Sequence, residues 1–282
     1  MNSSIRRQRF LRNVQTGFVL LAMVALFMVV GIAFLGASGL AIVLGGSFLF
    51  LLVLGGQEVR VDPSRARRLQ PGEAPRLESI LEDLSKEAGL SEVPEVYVLD
   101  AEEMNAAAFG RESKPRLAVT RPLLDRLSDR ELRAVVAHEV THIAQHDLTF
   151  YRFFMMLQLL TVTVARVGWL MLLFFWPVLA TSGTRLPPGT IALLIGAPIV
   201  SVLLQLGLSR SREYAADLGA VELDGDPEGL AAALEKIDRQ QQQLWKQVLP
   251  VPQRRGRRES VLRSHPDQDR RIARLRELAD EV

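Results

Sequence analysis

The sequence predicts a mainly α-helical protein with a small β-sheet: four transmembrane helices in two hairpins, and a soluble domain that the second hairpin interrupts. Three observations carry this reading. Of the 282 residues 48% are apolar, and the mean hydropathy of +0.14 is too high for a typical soluble domain. From Asn13 to Gln57 there is no Asp, Glu, Lys or Arg. Two more apolar segments, at 153–180 and 190–208, are separated only by the nearly uncharged TSGTRLPPG.

The first hairpin occupies residues 1–56. GFVLLAMVALFMVVGIAFL and LAIVLGGSFLFLLVLGG are each long enough to span, and Gly36-Ala37-Ser38-Gly39 is the tight turn between them. A cleaved signal peptide is the competing reading, but the first run is nearly twice a usual signal core and a second follows at once. Arg6, Arg7, Arg9 and Arg12 precede the hairpin, and Arg60, Arg65, Arg67 and Arg68 follow it. The positive-inside rule therefore puts both flanks in the cytoplasm. The second hairpin, 153–208, returns to the same side. Residues 57–152 and 209–282 then form two parts of one cytoplasmic domain, and the absence of cysteine is compatible with that. A short basic start without a targeting segment favours a multi-pass protein of a prokaryotic plasma (inner) membrane.

Charge adds little. The net +2 gives no reason to expect a nucleic-acid partner, and RRGRR at 254–258 reads first as a solvated loop, then as a patch touching anionic lipid. The glutamine run 240–243 reads as a solvated face of the helix in LAAALEKIDRQQQQLWKQVL. Arg166, halfway through the third apolar segment, is costly facing lipid. It lines a polar cavity, faces another helix, or snorkels from a shorter span.

The soluble part reads as helix, strand, loop, strand, helix. RLESILEDLSKEAGL puts Leu77, Ile80, Leu81, Leu84 and Leu90 on one helical stripe that ends near Gly89. PEVYVLD is a short strand with Val96, Tyr97 and Val98. MNAAAFG and RLAVT follow. A helix then opens at LSDRELRAVVAHEVTH, where Ser128 or Asp129 caps and Glu131 completes a capping box with Ser128.

That helix carries His138-Glu139-Val140-Thr141-His142. Histidines four apart project from one face, so both imidazoles reach one metal, while Glu139 is rotated to the flank where it can take a proton from water. Such a pattern of three fixed positions arises by chance and needs a third ligand. His146 lies one turn further on, and three histidines on consecutive turns would span about 12 Å, too far to share an ion. The better candidates are Glu213 and Asp217 in SRSREYAADLGAVEL, again four apart, of which one can ligate while the other supports. The chain between His142 and Glu213, which are 71 positions apart, leaves the membrane surface and returns to it. Counted from its boundaries, the two lie about 16 Å and 8 Å outside the hydrocarbon, in one layer.

With these residues assembled, the chain resembles the HtpX-like membrane zinc metalloproteases, heat-shock endopeptidases related more distantly to the CAAX prenyl proteases. The resemblance covers nearly the whole chain. It rests on the first hairpin, HEVTHIAQHD, the second hairpin, SRSREYAAD and SHPDQDRRIARL. It implies a gluzincin-type catalytic domain in which His138, His142 and Glu213 bind Zn2+, Glu139 is the general base, Asp217 orients a ligand histidine and Asp147 adds a buried support. From the prenyl proteases it further implies that His265, with Asn105, stabilises the oxyanion; before a proline, His265 is equally a helix-start residue. Arg271 reads as a structural tie for the last helix. The family's Asn-Ala-Phe-Ala element on the substrate-holding edge strand is replaced here by Asn105-Ala106-Ala107-Ala108-Phe109, with Ala107 where the phenylalanine stands.

The implied function is a zinc endopeptidase that cleaves misfolded or unassembled membrane proteins in quality control, its partners being polypeptide substrates and the lipid bilayer. The alternatives are a catalytically silent membrane scaffold, which a missing base or ligand would favour, and a more specific regulatory membrane protease. An intramembrane protease would carry its histidines inside an apolar span, and this motif lies on an amphipathic one. The topology has a direct test. Reporter fusions after Gly56 and after Val282 are expected to report cytoplasm and one within 181–189 the outside; an external catalytic part overturns the assignment.

Overall fold

The computed structural model describes residues 66–111, 113–181, 188–248 and 268–281, with scattered helical positions between 14 and 25. Most of the first hairpin, the RRGRR run and His265 lie outside the described residues. In chain order the elements are β1 (Ala66–Arg68), α1 (Pro75–Glu87), β2 (Glu95–Leu99), β3 (Ala106–Arg111), β4 (Lys114–Thr120), α2 (Arg121–Arg126), α3 (Asp129–Ala144), α4 (Asp147–Thr181), α5 (Pro188–Asp224), α6 (Pro227–Val248) and α7 (Gln268–Glu281). The protein is mostly helical with a small mixed sheet. It divides into two units, Met1–Gln57 with Phe150–Ser211, and Glu58–Thr149 with Arg212–Val282.

In the second unit the sheet runs β1-β2-β4-β3, antiparallel at both ends and parallel between β2 and β4. Leu77, Leu81 and Leu84 of α1 are buried with Val96, Val98, Leu117 and Val119 of the sheet and Leu132, Val136 and Val140 of α3. The α1 stripe is therefore the one its sequence period gives, and Ile80 and Leu90 border it. The helix ends in a Schellman turn: Gly89 is left-handed (φ 69°), its N–H donates to Lys86 O, and Leu90 N–H donates to Ser85 O. At the start of α3 the capping box is formed by both bonds between Ser128 and Glu131. Lys236 of α6 reaches Glu131 at 2.7 Å, which ties α6 to the same corner.

Two strands exceed the sequence reading. β1 lies outside the sequence reading, and MNAAAFG, a loop by its local pattern and an edge strand only by the resemblance, contains β3. Alanine has little strand preference of its own, so the pairing with β4 across a hairpin and the packing on α3 make this a strand. Gln240 is not solvated either, being only 6% exposed. The buried face of α6 (Leu230, Ala233, Leu234, Ile237) continues by one turn to Gln240. There Oε1 accepts from Met104 N–H (2.6 Å) and Nε2 donates to Glu102 O (2.7 Å), which pins the chain entering β3.

In the first unit the apolar segments are the helical stretches of α4 and α5. Among the described residues one helix, Ile191–Asp224, is long and apolar enough to cross a membrane. Leu157, Leu160, Thr161 and Ala165 form the buried face of α4, as Ala197 and Ser201 do on α5. Ser201 Oγ donates to Gln158 Oε1 at 2.5 Å, so the two helices share a polar contact within an apolar setting.

One glycine sets how closely α3 and the end of α5 approach. A Cβ on Gly219 would lie 2.4 Å from Thr141 Cγ2 and 2.8 Å from Gln145 Nε2. Gly219→Ala is thus expected to destabilise the protein by about 1–3 kcal/mol, the usual cost of overpacking. Thr141→Ser in the same chain removes the clashing methyl and is expected to recover most of the loss. Thermal unfolding of the single and double variants measures both, and equal unfolding of Gly219→Ala and wild type would show that the helices separate without cost.

Candidate metal centre

His138 and His142 sit one turn apart on α3, and their rings meet edge to face with centroids 4.7 Å apart. The Nε2 atoms are 3.2 Å from each other. Glu213 of α5 brings Oε2 to 3.5 Å from His138 Nε2 and Oε1 to 3.9 Å from His142 Nε2. One ligand atom from each residue lies within 4.8 Å of the others. Ligands about 2.0–2.2 Å from a tetrahedral zinc lie roughly 3.3–3.6 Å apart, so these spacings suit a metal ion of that kind.

The far side of each ring is held by a carboxylate. His142 Nδ1 is 2.8 Å from Asp147 Oδ2. His138 Nδ1 is buried and lies 3.1 Å from Asp217 Oδ1, off the line of its N–H. A carboxylate at Nδ1 leaves Nε2 of each ring as the atom that could ligate a metal. In a continuous helix Asp147, five residues on, would point away from His142. It turns back because α3 stops at Ala144 and His146 takes a left-handed conformation (φ 60°) before α4 begins.

Behind the acids stand two arginines. Arg271 of α7 is 3% exposed and grips Asp217 with Nε to Oδ2 (2.7 Å) and Nη2 to Oδ1 (2.6 Å). Its Nη1 lies 2.8 Å from Glu213 Oε2. Arg212 Nη1 donates to Asp147 Oδ1. Arg271 is therefore more than a tie for the last helix, since it reaches two acids of the site. Arg212 was not singled out from sequence, and its adjacency to Glu213 on a helix already constrained by two acids was the available signal. Burial opposes charge on His138, but the Asp217 and Glu213 carboxylates outweigh it and push this imidazole up to about 10. Glu213 is shifted well below the carboxylate range: burial works against its charge, and His138, Arg271 and His142 overcome that.

Glu139 is half-buried on the flank of α3, and its Oε2 accepts from Ala108 N–H at 2.7 Å. That donor belongs to the outer edge of β3. Asn105 O accepts from Thr120 N–H, so Asn105, Ala107 and Phe109 turn their backbone toward β4 while Ala106 and Ala108 turn theirs away. Asn105 is exposed, with its backbone spent on Thr120, and its side chain has no contact with the histidines among the described residues. His146 is exposed at the helix break and outside the ligand group.

Two histidines four apart on a helix, a carboxylate from a distant helix and a flanking glutamate beside an open strand edge define the class of metal-dependent peptidases. The profile of peptidase family M48 matches residues 71–279. The chain belongs to peptidase family M48. It is 31% identical over 287 aligned residues to a protein described as "Protease HtpX homolog" from Paraburkholderia phytofirmans, covering 94% of this chain and 96% of that one. A protein of the same description from Polynucleobacter necessarius is 29% identical over 279, covering 94% and 95%. The solved structure of S. mikatae Ste24p matches with a TM-score of 0.46 and 17% identity over 97% of this chain, which spans 66% of that protein's length. The protein is an HtpX-like metalloprotease, a peptide-bond hydrolase.

The ligand set can be tested by metal content. Glu213→Ala is expected to lose metal as His138→Ala does, whereas Asp217→Asn, which keeps the shape but weakens the hold on His138, is expected to lose about 10- to 100-fold in affinity. Titration of purified protein against a competing chelator reads both. Full metal stoichiometry in Glu213→Ala would place the third ligand elsewhere, with Glu222 the next acid to examine.

Proposed function

We propose that this chain is a membrane-bound zinc endopeptidase that cleaves misfolded or unassembled membrane proteins. The convergence of His138, His142 and Glu213 beside the outer edge of β3 carries this reading. Four spans in two hairpins, with residues 57–152 and 209–282 in the cytoplasm, form the organisation proposed for it. The uncharged run 13–57 and the apolar helices α4 and α5 support that organisation.

His138, His142 and Glu213 would hold the zinc, and Asp217 and Asp147 fix the two rings. When bound, zinc supplies an electrophile for the scissile carbonyl and brings the acidity of water toward neutral pH. Glu139 takes the proton of the attacking water and passes it to the leaving nitrogen. The backbone of Ala106 and the carbonyl of Ala108 pair with an extended peptide, a mode that reads main chain and so tolerates many sequences. Arg271 and Arg212 neutralise the acids from behind, so that the cluster stays assembled. His265 and Asn105 are the proposed donors to the oxyanion. Small side chains at 106–108 leave the edge open to bulky substrate residues, which suits a protease of broad specificity.

The base is the sharpest test. Glu139→Gln keeps the oxygen that accepts from Ala108 N–H and removes only the proton acceptor, so zinc content and substrate binding are expected to stay. Turnover is expected to fall by about 10²- to 10⁴-fold or more, the usual worth of general-base catalysis. Cleavage of an unfolded protein by detergent-purified enzyme, with zinc assayed on the same samples, measures it. Equal rates at equal zinc occupancy would remove Glu139 from the mechanism, and loss of zinc would make it structural.

A further inference from the structure

Arg166 has no part in the chemistry, and its place in α4 is unusual. The apolar segment 153–180 is 28 residues long, and a span needs about 20. Every window of that length within the segment contains residues 161–172. Arg166 is therefore inside the span wherever the boundary falls, at least five residues, about 7.5 Å of helix, from the nearer end. Its side chain is exposed and has no hydrogen-bond or ion-pair partner among the described residues. An arginine at that depth facing lipid is costly, and such residues pair with something.

The face around it is ordered. Leu159, Thr163, Arg166, Leu170 and Leu173 follow one another at alternating steps of four and three residues, the spacing of a helix-packing seam. All five are exposed, with Leu159 at 47%, Leu170 at 64% and Leu173 at 75%, while Leu157, Leu160, Thr161 and Ala165 on the opposite side are buried. Thr163 turns its hydroxyl into its own helix, onto Leu159 O, and makes no demand on a neighbour. The seam is apolar with a single fixed positive charge at its centre.

Its occupant is constrained by charge. Residues 13–57 and 150–208 contain no Asp or Glu, so neither the first hairpin nor a second copy of the chain can offer a carboxylate at membrane depth. We propose that this seam receives a transmembrane helix of a substrate protein that carries an unpaired Asp or Glu near mid-span, with Arg166 as the ionic contact. The proposal rests on the reading of the chain as a membrane-bound protease and names a class of its substrates. In an assembled complex an intramembrane carboxylate has its own partner, and when a subunit is left unassembled the acid is exposed. One ion pair on a short apolar seam gives a weak, reversible hold, which suits a substrate better than a permanent subunit.

The test uses full-length enzyme in nanodiscs of zwitterionic lipid with zinc, and single-span probes that carry an unfolded soluble tail. The probes differ only in one mid-span residue: Leu, Asp or Lys. Wild type is expected to cleave the Asp probe with a KM about three- to thirty-fold lower than the Leu probe and similar kcat, the range of measured polar contacts between membrane helices. Arg166→Leu should erase the difference, and Arg166→Glu should transfer the preference to the Lys probe. A photoreactive residue at position 170 should cross-link the Asp probe more than the Leu probe in wild type and not in Arg166→Leu. An unfolded protein without a span reports the peptidase itself and should be cleaved alike by all three enzymes. Equal KM for the Asp and Leu probes on wild type overturns the proposal while leaving the peptidase intact. So does an equal loss on both probes in Arg166→Leu, which would assign Arg166 to lipid headgroups or to the fold. A wild type that cleaves neither the probes nor the soluble polypeptide overturns the peptidase reading, and this proposal with it.

Discussion

Three carboxylates, Asp147, Glu213 and Asp217, crowd around two imidazoles, and the arrangement holds because an arginine stands behind each acid. Buried like charges repel, and a buried charge without a partner is expensive. Arg271 meets Asp217 in a fork and also touches Glu213, and Arg212 meets Asp147. The rest of the second unit serves this balance. Gly219 lets the end of α5 lie close on α3, α7 is placed to send Arg271 inward, and the left-handed His146 ends α3 where Asp147 must turn back.

Much of this was legible in the sequence. The His-Glu-x-x-His spacing, the Ser128–Glu131 capping box, the Gly89 terminus and the Glu213–Asp217 pair are local patterns whose geometry follows from a helix of 3.6 residues per turn. What was not legible depends on tertiary contact. An Ala-Ala-Ala run has no period and little strand preference, so β3 exists only through its partners. Gln240 sits in a polar run that looks solvated, and its burial follows from a face of α6 that extends one turn further than composition suggests. Arg271 is one of several arginines in RRIARLREL, and nothing local separates the one that turns inward from those on the surface.

The break between α3 and α4 also decides where Asp147 goes. A helix continued straight from α3 into α4 would carry Asp147, five residues after His142, to the other side of the helix. Two residues, Gln145 and His146, change that. They end one hydrogen-bonded helix and start another, so the metal-motif helix is free to take the direction that its contacts with α1, α6 and β3 require. Asp147 then belongs by sequence to the apolar helix and by contact to the candidate metal centre.

The edge strand raises the last physical question, because an unpaired edge invites association with other chains. β3 limits this in two ways. It is only six residues long, Ala106–Arg111, and one of its outward donors, Ala108 N–H, is already taken by Glu139. The row of outward-facing groups is therefore broken at the point nearest α3. A long strand finds the row interrupted there, whereas a short peptide paired to Ala106 and to the carbonyl of Ala108 would lie directly beside the carboxylate proposed as the base. One hydrogen bond both blunts the edge and fixes the distance between the groups that hold a peptide and the group that would act on it.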